Sequence, residues 1–139
     1  MDIMIKTAIV GYRCFPSGGD GDMILWLPKR ISSFFPDINY CHVDIVEDRK
    51  KSIDAAVAEL IILRPDVLHY ANFRDSYTGF GFDKEYISLV KEILDIPILL
   101  TTGHDRGGEI AAEFGVEFLR VPFMLEAYSN KIRELAGKR

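Results

Sequence analysis

Apolar positions in this chain fall into short β-branched runs that alternate with segments of helical spacing. "IKTAIVGY" (5–12) is an apolar run closed by Gly11 and predicts a buried strand. "RCFPSGGDGD" (13–22) is rich in turn formers and predicts a loop. "DMILWLPKRISSFF" (22–35) predicts a helix, with Asp20 or Asp22 as cap and Pro28 expected to kink or shorten it. "YCHVDIV" (40–46) alternates and predicts a second strand at an edge. "SIDAAVAELIILR" (52–64) predicts a helix capped by Ser52, with Ile53, Ala56, Val57, Leu60 and Ile61 inward and Pro65 as its stop. "DVLHYA" (66–71) is strand three, and "NFRDSYTGFG" (72–81) a loop. "FDKEYISLVKEILD" (82–95) is a helix with Tyr86, Leu89, Val90 and Ile93 on one face. "IPILLTT" (96–102) is continuously apolar, as strands covered on both sides are. "GEIAAEFG" (108–115) is a short helix ended by Gly115. "VEFLRV" (116–121) is strand five, and "MLEAYSNKIRELAG" (124–137) is the last helix, with Tyr128 and Ile132 toward the sheet.

Strand and helix thus alternate five times. This order predicts one α/β domain over residues 1–139, a flavodoxin-like doubly wound fold. Its five-stranded parallel sheet has order 2-1-3-4-5, with helices on both faces and right-handed crossovers. Ligands of such sheets sit beyond the carboxyl ends of the strands, where strand order reverses, here between strands one and three. The rim of that crevice is read as Gly11, Tyr12 and Arg13, then Ala71 and Asn72, then Thr102, His104 and Val121.

Composition narrows the function. With 139 residues, 48% hydrophobic and 27% charged, the chain is an ordinary globular one rather than a disordered or coiled-coil one. A net charge of −4 argues against a nucleic-acid partner. The dense basic cluster Arg49-Lys50-Lys51 follows Glu47 and Asp48 and reads as a solvated turn. Cys14 and Cys41 form neither a disulfide framework nor a metal spacing, which fits a reduced, cytoplasmic setting. The N-terminal segment lacks the pattern of a signal peptide, and no stretch approaches the roughly 20 apolar residues of a membrane span. No membrane partner, metal or cofactor is expected.

Individual features carry modest chemistry. "SGGDGD" (17–22) precedes a helix, where a phosphate cradle belongs, but its spacing fits no phosphate-loop motif and its two aspartates repel phosphate. His69, inside strand three, reads as a core residue. His104, beside Asp105 at the rim, is the best candidate general base, the competing reading being a solvated loop residue. Phe73, Tyr77, Phe80 and Phe82 surround Arg74 in a loop that is either a protein contact or a small satellite cluster.

Three segments together carry a resemblance. "AAVAELIILRPDVLHYA", "IPILLTTGHD" and "AAEFGVEFLRVPFMLEAYSNKIREL" resemble the receiver domain of response regulators, whose last segment usually keeps the counterparts of Gly115, Pro122, Phe123 and Ile132. Thr102 falls where that family has a Thr or Ser, and Phe118 where it has a switching aromatic. The family's chemistry does not carry over. Receivers hold magnesium with an acidic pair after strand one; Gly11 and Tyr12 stand there. They accept phosphate on an aspartate ending strand three; "RPDVLHYANFRD" offers Ala71 and Asn72. They contact the phosphoryl group with a lysine before the strand-five proline; Val121 stands there. Phosphoryl transfer needs a cation and an in-line nucleophile, and a hard cation needs carboxylates, so these replacements are decisive.

The resemblance implies a non-enzymatic pseudo-receiver: a phosphorylation-independent signalling or scaffold module. It would bind a protein partner, or a second copy of itself, through the face of helix four, strand five and helix five. Phe118, Phe123 and Tyr128 are the contacts expected on that face. Two other readings stay open. "AIVGYRCFPSGGDGDM", "RPDVLHYANF" and "IPILLTTGHD" also resemble the N-terminal half of a GT-B glycosyltransferase, whose acceptor loop would contain Gly18, Gly19, Tyr70 and His104; sugar-nucleotide binding would then need a second, donor-binding unit. A small-ligand or nucleotide binder would use Arg13, Asn72 and Thr102 to orient a polar ligand in the crevice.

Overall fold

Ile5 of the first strand sits beside Ile38 of the second, and from that pair the two strands run in parallel to Gly11 and Asp44. The computed structural model describes residues 4–11, 20–44, 49–70, 82–102, 105–120 and 123–137. Its strands are β1 (Ile5–Gly11), β2 (Ile38–Asp44), β3 (Val67–Tyr70), β4 (Ile98–Thr102) and β5 (Glu117–Arg120). They alternate with the helices α1 (Asp20–Phe34), α2 (Arg49–Leu63), α3 (Phe82–Leu94), α4 (Gly107–Phe114) and α5 (Leu125–Gly137). The sheet is parallel throughout and ordered β2-β1-β3-β4-β5, the architecture expected from the alternation of periods.

Because successive side chains leave a strand on opposite faces, each strand feeds two cores. Ala8, Val10, Val43, Leu68, Tyr70, Ile98 and Leu100 point to one side, where Val57 and Leu60 of α2, Tyr86, Ile87 and Val90 of α3, and Ala111 of α4 cover them. Ile5, Ile9, Ile38, Val67 and Leu99 point to the other, under Leu27 and Ile31 of α1 and Tyr128, Ile132 and Leu135 of α5. Burying one such aliphatic or aromatic side chain contributes about 1.5–3 kcal/mol. This two-sided covering is why β4 reads as an unbroken apolar run.

Helix ends are where the structure departs from the sequence reading. α1 starts at Asp20 and continues through Pro28, which neither shortens it nor ends it; Leu27 and Ile31, both fully buried, hold the segment on the sheet on either side of the proline. α2 starts at Arg49, so the backbone of Arg49-Lys50-Lys51 forms the helix's first turn instead of a connection before it, and Ser52 is inside the helix rather than its cap. Arg and Lys are good helix formers, which lets the helix extend backward. The inward face of α2 is Val57 and Leu60 with Leu63, whereas Ile61 is exposed. In α3 Ile87 is buried and Ile93 is half exposed, a rotation of the expected stripe. α4 ends as predicted on Gly115, at φ 71 and ψ 37. The Gly115 and Val116 amides donate to the Ala112 and Ala111 carbonyls at 3.2 and 2.9 Å, closing a Schellman cap. α2 and α3 end instead on non-glycine residues in the left-handed region, Arg64 (φ 48) and Asp95 (φ 50).

Candidate functional site

The strands end at Gly11, Asp44, Tyr70, Thr102 and Arg120, and the reversal of order lies between β1 and β3. Val10 is in register with Tyr70, so Gly11 and Tyr70 flank that point. Tyr70 has no exposed surface; its ring lies 5.5 Å from that of Tyr86, tilted by 45°. Of the residues predicted to line the crevice, the described ones are Gly11 and Thr102. Tyr12, Arg13, Ala71, Asn72, His104 and Val121 lie outside the described residues, as does most of the aromatic loop.

Thr102 leads into a small cluster. A Cβ on Gly107 would come within 2.8 Å of both the Thr102 methyl and the Phe118 ring, so the first residue of α4 has to be glycine for the three to pack. The Phe118 ring is thus folded in over the start of α4. Arg120, two residues along β5, lays its guanidinium 5.5 Å from the centre of that ring and donates from Nη2 to the Asp105 carbonyl at 3.4 Å. The Thr and the aromatic that the sequence singled out at separate strand ends are therefore brought together through Gly107. That glycine's role was not anticipated, although "DRGGE" after strand four was its only signal.

Of the expected contact face, Phe118 and Phe123 are half-buried, and Phe123 stacks on Tyr128 at 5.2 Å and 14°. Tyr128 itself has no exposed surface and cannot meet a partner. This corrects the expectation, and the reason is its hydroxyl. Tyr128 Oη lies 2.9 Å from Tyr40 Oη and 2.8 Å from His69 Nδ1. His69 Nε2 in turn lies 2.7 Å from Thr101 Oγ1. The apolar side chain that α5's approach does leave exposed is Met124, at 76%.

This chain of four side chains crosses the α1/α5 face of the sheet from β2 to β4. His69 is a core residue, as its position in the strand implied, but the line it belongs to was not visible in the sequence. Burial holds its imidazole neutral, lowering the pKa from 6.5 to about 3, and raises the phenols of Tyr40 and Tyr128. Tyr40 donates to Tyr128, and the His69 tautomer sets the other two bonds: either Tyr128 gives to Nδ1 and Nε2–H to Thr101, or Nδ1–H gives to Tyr128 and Thr101 to Nε2. The line orders protons without holding a charge. Thr7 Oγ1, on the same face and fully buried, has no hydrogen-bond partner among the described residues.

Among the described residues no three His, Cys, Asp or Glu side chains gather where a cation could be held. No described helix is long and apolar enough to cross a membrane.

No protein-family model matches the chain, and no curated protein does. Solved structures do. A two-component response regulator from Clostridium difficile superimposes with a TM-score of 0.62 at 14% identity, over 97% of this chain and 98% of that one. Chemotaxis protein CheY4 of Vibrio cholerae gives 0.56 at 19%, over 95% and 98%. A solute-binding protein of an ABC transporter from Bacillus halodurans, solved with myo-inositol, gives 0.53 at 15%, over 78% of this chain and 34% of that one. Strand order, helix placement and near-complete mutual coverage agree: the chain has the receiver-domain fold of response regulators.

Proposed function

We propose that the chain is a signalling or scaffold module built on the receiver fold that works without aspartyl phosphorylation and acts by binding a protein. What carries the reading is a conflict between fold and residues. The fold matches receivers across their full length, yet Gly11 and Tyr12 supply no carboxylate for a cation, Ala71 supplies no nucleophile, and Val121 supplies no ammonium. The contact surface in this reading is the face of α4, β5 and α5, where Phe118, Arg120, Phe123 and Met124 stand and Tyr128 serves from beneath. Exposed Met and Arg beside aromatics are the side chains that anchor protein contacts.

Incubation with acetyl phosphate and Mg²⁺, followed by intact-mass measurement, tests it. The mass stays unchanged in this reading; a stable gain of about 80 Da on a carboxylate, the mass of one phosphoryl group, overturns it.

A further inference from the structure

Several cations of this chain are answered by neighbours. Lys91, Arg106, Arg120, Lys131 and Arg133 each have an oxygen within 3.5 Å. Among the described residues, Lys29, Arg30, Arg64 and Lys84 have no such partner for their side chains. Of these four, only Lys29 and Arg30 stand side by side. Both are exposed, on the last two turns of α1, and Ser33 and Phe34 follow one turn on. Spacings of three and four residues put these side chains on one side of the helix, where they line an open hollow of about 400 Å³. Phe34 is 66% exposed, although Leu27 and Ile31 hold the same turns on the sheet from within. No carboxylate is among the described residues that line the hollow. The nearest in sequence, Asp37, already receives two bonds of 2.8 Å from Arg133.

We propose that this hollow docks an acidic segment of another protein, its carboxylates reaching Lys29 and Arg30 and an apolar side chain lying on Phe34. Charge complementarity selects the partner. In a chain of net charge −4 this is a positively charged spot, and it borders an exposed ring; Arg and aromatic side chains are those that anchor protein contacts. An anionic bilayer presents a plane and is held by clusters of about four to eight cations, whereas here two cations border a concavity. Nucleic acid calls for a longer basic track along its phosphates. The negative end of the α1 dipole does not oppose the docking, because its effect falls off within the last turn and both cations precede that turn. The surface is separate from the α4–β5–α5 face, and its use does not require that face to bind anything.

Fluorescence anisotropy tests the proposal with a labelled glutamate peptide carrying a central phenylalanine. The expected result is saturable binding at about 100 μM or tighter, the weak range of a small transient contact, fading as salt rises. Replacing the peptide's glutamates by glutamines abolishes it. Lys29→Glu and Arg30→Glu each weaken it about ten-fold. Phe34→Ser weakens it about three-fold and leaves its salt dependence unchanged. All three positions are exposed, so the circular dichroism stays that of the wild type. Lys84→Glu, the same change of charge at an exposed cation on α3, leaves binding as it was. Absence of saturable binding up to about 1 mM, or an equal loss in Lys84→Glu and Arg30→Glu, overturns the proposal. Capture of the chain by phosphatidylserine vesicles, lost in Arg30→Glu, with no binding of the peptide, also overturns it and assigns the patch to a membrane surface.

Discussion

The two faces of the sheet solve the same packing problem by different physics. Under α2, α3 and α4, the strands present Ala8, Val10, Val43, Leu68, Tyr70, Ile98 and Leu100, and contact there is mainly between apolar side chains and the paired rings of Tyr70 and Tyr86. Under α1 and α5, the same strands present Thr7, Tyr40, His69 and Thr101 among the aliphatics, and α5 adds Tyr128. An apolar face tolerates sliding and substitution; a hydrogen-bonded line fixes α5 at one height over β3, because each bond has a required partner. Arg133 reinforces the same placement from the rim. It makes two bonds of 2.8 Å to Asp37 and lays its guanidinium 5.0 Å from the centre of the Phe35 ring, tying α5 to the α1–β2 turn. One face supplies bulk stability and the other supplies register. The cost of the second arrangement is sensitivity to protons.

That sensitivity is the largest effect by which the comparison can be broken. Folding lowers the His69 pKa from 6.5 to about 3 because the imidazolium would be buried. Between those values the unfolded chain holds a proton that the folded chain does not. The contribution of His69 is therefore fully present above pH 6.5 and is lost progressively as pH falls toward 3, amounting to roughly 5 kcal/mol over the window at about 1.4 kcal/mol per pH unit. Urea melts from pH 8 to 3.5 measure it. Subtracting a His69→Gln variant cancels the carboxylates common to both chains, and the remaining difference should slope downward toward acid. A flat difference would mean that the ring is not held neutral.

Next in size is the apolar face. Leu100→Ala removes a fully buried side chain and should cost about 2–5 kcal/mol. Unlike the loss at His69, this one should be the same at pH 8 and pH 5. A marked pH dependence in the Leu100→Ala difference would erase the distinction between the faces.

The apolar face is largely legible in the amino-acid sequence, and the polar one is not, for a definite reason. Period-two alternation and short apolar runs placed the five strands and, with the helical segments between them, pointed to the order of the sheet. Helix starts were less legible. Local capping chemistry pointed to Ser52, but the basic run before it continues the helix to Arg49. Pro28 looked like a breaker, but Leu27 and Ile31 pack on the sheet around it. The polar line was hidden because its members come from β2, β3, β4 and α5. Their meeting depends on which face each strand residue takes and how far each strand is shifted against its neighbour, and no local window of sequence contains either quantity. The crevice is the opposite case: its residues were easy to name, because they follow strands, and most of them lie on connections outside the described residues.

Smaller effects sharpen the account of the polar face. Tyr128→Phe deletes one hydroxyl between two partners, leaving His69 Nδ1 buried and unsatisfied, and should cost about 1–3 kcal/mol. Tyr40→Phe should cost less, since Tyr40 is only half-buried. If the four groups act as one line, the double variant is less destabilised than the sum of the singles, by about 0.5 kcal/mol or more. Additive losses in chemical denaturation would reduce the line to separate contacts.

The smallest effect has the opposite sign. Thr7 lies on β1 in register with Tyr40 and Val67, is fully buried, and its hydroxyl has no hydrogen-bond partner among the described residues. A buried donor without a partner loses its hydration and gains nothing in return, and replacing it with an apolar group of the same shape relieves that cost. Thr7→Val keeps the β-branch that suits a central strand, exchanges only the hydroxyl for a methyl, and should raise stability by about 1 kcal/mol. The same exchange at Thr101, whose hydroxyl receives or gives a bond to His69, should lower stability by a similar amount. The two threonines occupy the same face of neighbouring parts of one sheet and differ in whether the line reaches them. Denaturation curves that move in opposite directions would show that it is membership of the line, rather than polarity as such, that makes a buried hydroxyl stabilising here. If Thr7→Val destabilises instead, Thr7 also has a partner, and the line extends across β1.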